Sequence, residues 1–568
     1  MKKYLLVLAL CATSFMMKSQ ELLVPLNDDY EMEIQTAAYS SDYIFHTAMR
    51  GWSESQFKNV LNLDSINEIY RIPINKKGKF SNYILNSILN DDFVRVKSDD
   101  YYVAINPVVD FQIGSDGHRT TWVNTRGGEI KGTIGENFAF YTCLRENQAV
   151  FPEYIDQYII NNRVVPGQGW SKRFKKTGFD YTNASAYVAM RPVKWLNATL
   201  GYGKNFIGDG YRSMMLSDNA LAYPYLKLTA DFWRIQYTCL YAQMTDRNTV
   251  MADNTYARKW AVIHYLDIAV TNRLNIGFFD ALMAAAQTHQ QVMGPDSTLR
   301  TIDIRRGFDF QYINPIIFLR SAEYYAGSSP DNALLGVNFS LIVGKHTTIY
   351  GQFVLDEFSI NKIRALKGST SNKQAYQLGV KSYDCFGVRN LFLQLEGNIV
   401  RPYMYSHTPQ GTENSVGEDN YGHYNEPLAH PWGANLWEAV FRAQYNWKRL
   451  YFQYKLNFGQ YGDDWDVENN VWANYGHNVY NDYNTAVPLD FDEDGKDTRD
   501  GHYLLTGRKT TVVFNDCIVS YMVNPAYNMN VFAEIAHRHF AAEGLDTTSD
   551  FIFSIGIRTS LDRKYYDF

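Results

Sequence analysis

The segment Trp437 to Gly459, WEAVFRAQYNWKRLYFQYKLNFG, alternates with a period of two on both sides of a short turn. Trp437, Ala439, Phe441, Ala443, Tyr445 and Trp447 fall on one face, and Glu438, Arg442, Gln444 and Asn446 on the other. After Lys448 and Arg449 the pattern resumes, with Leu450, Phe452, Tyr454, Leu456 and Phe458 opposing Tyr451, Gln453, Lys455 and Asn457. Successive side chains of a strand point to opposite faces, so these are two strands joined by a tight turn, each with one apolar and one wet face. A soluble sandwich also alternates. Strands this long, with aromatics beside the turn and charge at mid-strand, instead fit a wall with lipid outside and water inside.

The same pattern recurs from 101–112 to 550–561 in about eighteen candidate strands. From the fourth strand onward, short connections at 191–194, 232–233, 271–272, 344–345, 385–387, 448 and 524–526 alternate with long ones near 204–223, 245–257, 282–331, 356–373, 399–433, 460–509 and 538–549. Short periplasmic turns and long extracellular loops are the plan of an up-and-down membrane barrel. The expected fold is therefore all-β, a transmembrane antiparallel barrel. An even strand number places both the segment 20–100 and Phe568 on the periplasmic side, where Trp195, Trp233, Trp447 and Tyr527 would form an aromatic belt. The wet faces would line a polar lumen containing Lys227, Asp231, Glu396, Glu438, Arg442, Lys455, Glu534 and Arg558, whose mixed signs suit internal salt bridges. The ending Tyr565-Tyr566-Asp567-Phe568, a terminal aromatic after an alternating strand, is similar to the insertion signal of bacterial outer-membrane barrels.

Before the strands, Met1 to Ser19 has two early lysines, an apolar run and a small residue ahead of Gln20, the pattern of a cleaved secretory signal. Residues 20–100 alternate poorly and read as a periplasmic or plug-like segment, in which Ser53 and Gln56 could cap a helix. Removing the three lysines of the signal takes the formal charge from −6 to −9, which argues against a nucleic-acid partner. Cys143, Cys239, Cys385 and Cys517 lie far apart inside strand-like runs, without metal or redox spacing. Barrel strands escape a hydropathy scan because half of each faces water, and an aromatic content of 15% suits girdles at two interfaces.

Several loops carry candidate chemistry. Asp490, Asp492 and Asp494, with Gly495 for the turn and Asp497 beyond, follow the first half of a calcium loop; the twelfth position is Gly501, where a bidentate acid belongs, so the stretch is either a Ca²⁺ site or an unligated acidic loop. Asp463, Asp464, Asp466 and Glu468 read as solvated charge. The glycine-rich run Gly201 to Gly210 lacks the ending of a phosphate loop and would instead let the chain fold back into the barrel mouth, with Arg212 and Asp218 as lumen or ligand contacts. Neither a nucleophile elbow nor a cluster of His, Ser and acid marks a hydrolase, so the chain is expected to be non-enzymatic. Trp432, Trp465, Trp472 and Tyr475, among acidic loop residues, are the candidates for sugar binding, since rings stack on indoles while carboxylates accept from hydroxyls.

Two blocks, YGKNFIGDGYRSMMLSDNA (Tyr202 to Ala220) and YINPIIFLRSAEYYAGSSPDNALLG (Tyr312 to Gly336), resemble Wzi-like capsule-assembly barrels, and more closely the RemB-like gliding-motility proteins of the Bacteroidota. The resemblance spans roughly residues 100–568. It implies an outer-membrane barrel of about eighteen strands with a helical N-terminal segment near the periplasmic mouth. It also implies attachment or organisation of surface polysaccharide for the first group and a part in gliding for the second. Residue roles do not transfer, and the acidic loop 460–509 has no place in the family pattern. The expected partners are outer-membrane lipid, surface polysaccharide and other outer-membrane, secretion or motility proteins. A diffusion channel and an accessory subunit of an outer-membrane complex are the rival functions.

Overall fold

The computed structural model describes residues 21–40, 43–57, 70–74, 78–250, 254–293, 299–305, 307–315, 331–365, 367–407, 419–481, 500–559 and 562–568. The alternating stretches pair with their sequence neighbours as antiparallel strands. These are β1 (Tyr101–Ser115), β2 (Thr120–Ile134), β3 (Phe138–Val150), β4 (Gly178–Val193), β5 (Leu196–Gly203), β6 (Tyr223–Phe232), β7 (Ile235–Val250), β8 (Tyr256–Ala269) and β9 (Leu274–Ala285). The second half comprises β10 (Asn332–Val343), β11 (Thr347–Leu355), β12 (Gln374–Ser382), β13 (Leu391–Val400), β14 (Leu436–Trp447), β15 (Leu450–Asp463), β16 (Arg508–Asn524), β17 (Met529–Ala542) and β18 (Thr548–Arg558). Each expected strand has its counterpart. β3 starts at Phe138, after a turn made by Gly135 at φ 58°.

β18 closes on the outer half of β1, from Asp110 opposite Arg558 to Ser115 opposite Phe553. A short strand, Val94–Lys97, takes the inner half, with Val94 opposite Ile105 and Lys97 opposite Tyr102. The sheet is thus an 18-stranded closed cylinder, which pairs main-chain amides around the whole wall without water. Burial runs opposite to that of a soluble β-protein. On β14, Glu438, Arg442, Gln444 and Asn446 are buried while Tyr445 and Trp447 are exposed. On β13, Gln394, Glu396 and Asn398 are buried and Leu395 is exposed, and on β18 Phe551, Phe553 and Ile555 face outward. Apolar outside and polar inside is the condition for standing in lipid, and places the chain in the outer membrane.

Residues 21–40 and 43–57 enter the cylinder at the rim of short turns. Glu21 accepts from Asn197 at the start of β5 (2.7 Å), and Gln35, on α1 (Asp28–Ser40), accepts from Lys381 at the end of β12 (3.0 Å). Ser53 N–H donates to Gln56 Oε1 (2.9 Å), the expected cap, and opens a single helical turn, Glu54–Phe57. The remainder of the expected helix lies outside the described residues, as does the signal sequence. α2 (Lys79–Leu89) packs on the turn between β16 and β17. Trp195, Trp233 and Trp447 are exposed at this rim, as a belt requires. Tyr527 departs from the expectation: it is buried, and its hydroxyl donates to the Ser87 carbonyl of α2 (3.0 Å).

The other correction concerns the C-terminus. β18 stops at Arg558, and the tail turns inward instead of ending a strand at the periplasmic rim. Phe568 reaches the outer half of the lumen, its ring 4.7 Å from Tyr158 and 5.6 Å from Tyr154 on α3 (Glu153–Asn162). The cause is charge. Asp562, Arg563, Lys564 and Asp567 cannot face lipid, and inside they meet Arg145, Asp218, Asp110 and Arg212.

Candidate functional site

Although residues 205–221 connect two strands, all of them are buried. The connection folds into the lumen through glycines, as the glycine-rich run predicts. Gly208 has φ 147°, and a Cβ on Gly210 would collide with the Glu396 carboxylate. That carboxylate accepts from the N–H groups of Tyr211 (2.7 Å) and Arg212 (3.0 Å) and from the Tyr350 hydroxyl (2.7 Å). From below, the N-terminal segment holds the same loop, with Thr47 and Tyr39 donating to Asp209 (2.6 and 3.0 Å).

Arg212 is the keystone of this packing. Its guanidinium, 0% exposed, pairs with Glu438 (2.7 Å) and with Asp567 (3.1 Å). Glu438 also meets His430 (2.8 Å) and accepts from Asn457 (2.7 Å), while Asp567 takes Lys455 (3.1 Å) and the Tyr211 hydroxyl (2.8 Å). One buried ionic cluster therefore ties together the inward loop, β14, β15, the 401–435 connection and the tail, which is the salt-bridged lumen that the mixed charges suggest. Asp218, the other contact expected from this loop, accepts from Tyr565 (2.6 Å) and faces Arg563 (3.7 Å). Both residues hold the inward loop against the tail. Trp432 is buried beside them, its indole N–H donating to the Asp567 carbonyl (3.1 Å).

Trp465, Trp472 and Tyr475 lie elsewhere, on the outer rim. Two-residue strands Trp465–Asp466 and Val471–Trp472 pair so that the two indoles stand opposite each other. Trp472 is 45% exposed. Asp464 orders this stretch by accepting from the N–H groups of Tyr475 (2.8 Å), His477 (3.1 Å) and Asn478 (3.2 Å). It is buried for that reason and is not the solvated charge that the acidic run suggests. Asn435, at φ 57°, joins two loops: it accepts from Leu505 N–H (2.7 Å) and donates to the carbonyls of Thr506 (2.8 Å) and Tyr475 (3.3 Å). Arg508 stacks its guanidinium 5.3 Å from the Trp465 ring and pairs with Asp463. Asp464 and Asn435 escape sequence reasoning because loop contacts have no period; an Asn followed by an alternating strand was the one available signal. The expected calcium ligands Asp490, Asp492, Asp494 and Asp497 lie outside the described residues. Asp500, just beyond, pairs with Lys362 (3.0 Å).

Glu426, in the 401–435 connection, is fully buried and accepts from Gly167 N–H (2.7 Å). Burial pushes its carboxyl up to about 8, against the opposing pull of that N–H and of Lys204. A raised folded-state value favours the protonated form. The stability it contributes is complete below the ordinary value of 4.5 and is lost as pH rises through about 8. The thermal midpoint in detergent is expected to fall between pH 6 and pH 9, and Glu426→Gln is expected to flatten that part of the profile. An unchanged slope in the variant refutes this role.

The two larger lumen cavities found among the described residues have volumes of about 250 Å³ and about 540 Å³, and Asp562 and Arg563 of the tail line both. An 18-stranded wall, a lumen occupied from below, from above and by the tail, and an ordered aromatic and acidic outer rim define an outer-membrane β-barrel of the filled type. No protein-family profile and no curated protein matches the sequence. Among solved structures the chain is similar to Wzi, an outer-membrane protein involved in group 1 capsule assembly in Escherichia coli and described as a carbohydrate-binding β-barrel. That match has 11% identity and a TM-score of 0.48, and covers 94% of this chain and 98% of that one. OccAB2 of Acinetobacter baumannii (10% identity, TM-score 0.39, 81% and 97% covered) and OprD of Pseudomonas aeruginosa (10%, 0.38, 80% and 94%) are also similar.

Proposed function

We propose that the protein binds or organises surface polysaccharide through its outer rim, by binding without turnover. The observation that carries this reading is the rim itself. Two indoles opposed on a short hairpin, with Tyr475 close to the Asp466 and Glu468 carboxylates and a further carboxylate at Asp463, present flat apolar faces next to hydroxyl acceptors. A stacked ring is worth about 0.5–1.5 kcal/mol beyond its buried area. Replacing Trp465, Trp472 and Tyr475 together by alanine is therefore expected to weaken retention of surface polysaccharide by about tenfold or more. Quantitative glycan staining of intact cells checks this, and wild-type retention in the triple variant overturns it. Scoring surface spreading of the same strains separates capsule organisation from a part in gliding motility.

A diffusion channel is the second reading, favoured by the two lumen cavities. Steady conductance of the intact protein in planar bilayers would decide for it.

A further inference from the structure

Along the inner wall from β1 to β6, the cavity of about 540 Å³ runs from the short-turn rim up to the inward loop. Lys227, on β6, lines it. The residue is 6% exposed, and its ammonium has no hydrogen-bond or ion-pair partner among the described residues. It lies beside the N-terminal segment: a Cβ on Gly51, φ 76°, would stand 3.7 Å from Nζ. Neighbouring lysines are engaged. Lys204 donates to the carbonyls of Gly167 (2.6 Å) and Asp218 (2.8 Å), and Lys131 stands 3.6 Å from Glu129 and 3.7 Å from Asp92. A charge withdrawn from water without a partner is costly, and an anion brought beside it removes that cost. Tyr225, 6% exposed, and the stacked pair Tyr141 and Tyr187, ring centroids 5.4 Å apart, supply aromatic faces in the same cavity, and Arg95 and Lys97 stand exposed at its periplasmic mouth, where they attract anions.

We propose that this cavity binds a small anionic saccharide, a carboxylate- or phosphate-bearing sugar or the terminal unit of a glycan, entering from the periplasm with Lys227 as its counter-ion. This is a second site, distinct from the outer rim, and does not depend on glycan binding there. The charge on the ligand meets the ammonium while its ring lies along the tyrosines.

Titration calorimetry on the full-length protein in detergent tests it, with galacturonate, glucose 1-phosphate, galactose and inorganic phosphate as probes. At least one charged sugar is expected to bind, and which of the two binds more tightly assigns the group as carboxylate or phosphate. Galactose and inorganic phosphate are expected to bind at least about tenfold more weakly. Lys227→Met is expected to lose about tenfold or more of the charged-sugar affinity, with Lys227→Arg retaining part of it. Because Met removes an unpaired buried charge, the Lys227→Met barrel is expected to unfold at the same temperature as wild type or higher, which separates lost binding from lost folding. Binding of neither charged sugar, equal binding of galactose or inorganic phosphate, or wild-type affinity in Lys227→Met would each overturn the proposal.

Discussion

A chain ended at Thr559 is expected to conduct steadily in planar bilayers where the full-length protein does not. Eighteen strands enclose a cylinder wide enough for an aqueous channel unless something fills it. The cavity of about 250 Å³ is lined by Gly114 and Thr121 near the outer rim and by Asn528 and Asn530 near the inner one. The cavity of about 540 Å³ reaches the inner rim at Lys97 and Ala526. Between them stands the tail, pinned by Lys564 to Asp110 (2.8 Å), by Tyr565 to Asp218 (2.6 Å) and by Asp567 to Arg212 and Lys455. Removing it joins the two spaces into one path along the wall of β1 and β18. The double variant Asp110→Asn, Asp218→Asn unpins the tail without deleting it and is expected to give intermittent openings. If the full-length protein already conducts as well as the truncated one, the tail is not the barrier.

Arg212→Met is expected to lower the stability of the filled barrel by about 3–5 kcal/mol, the usual effect of removing one partner from a buried ion pair. The magnitude follows from what is left behind, since Glu438 and Asp567 are both buried and both lose a cation. Lys455 still faces Asp567, and His430 still faces Glu438, so the second carboxylate group is not wholly abandoned. The urea midpoint in detergent, followed by tryptophan fluorescence, reads the change, because Trp432 rests on the same tail. Adding Glu438→Gln to Arg212→Met is expected to recover part of the loss by removing the orphaned charge. A midpoint unchanged in Arg212→Met would mean that the cluster does not hold the lumen together.

The strand plan and the direction of each face were legible in the chain because both are local. A period of two assigns Trp437 and Glu438 to opposite sides whatever surrounds them, and the inverted burial on β14 follows that assignment residue by residue. The candidate site was legible only in part. Arg212 reads as either a lumen or a ligand contact, and the lumen contact is the one found, while Trp432 reads as a sugar-binding residue because an aromatic in a loop looks available, whereas it is buried in a contact with Asp567. The pairs that bury them are separated by more than a hundred residues, a distance over which no spacing rule operates.

By itself, then, the sequence determined the wall: how many strands, which side chains meet lipid, and where the chain turns tightly. What fills the wall was decided by tertiary structure. The inward turn of 205–221, the entry of 21–40 and 43–57 and the retreat of the tail depend on charges finding partners inside a low-dielectric space, and those partners exist only once the cylinder has closed.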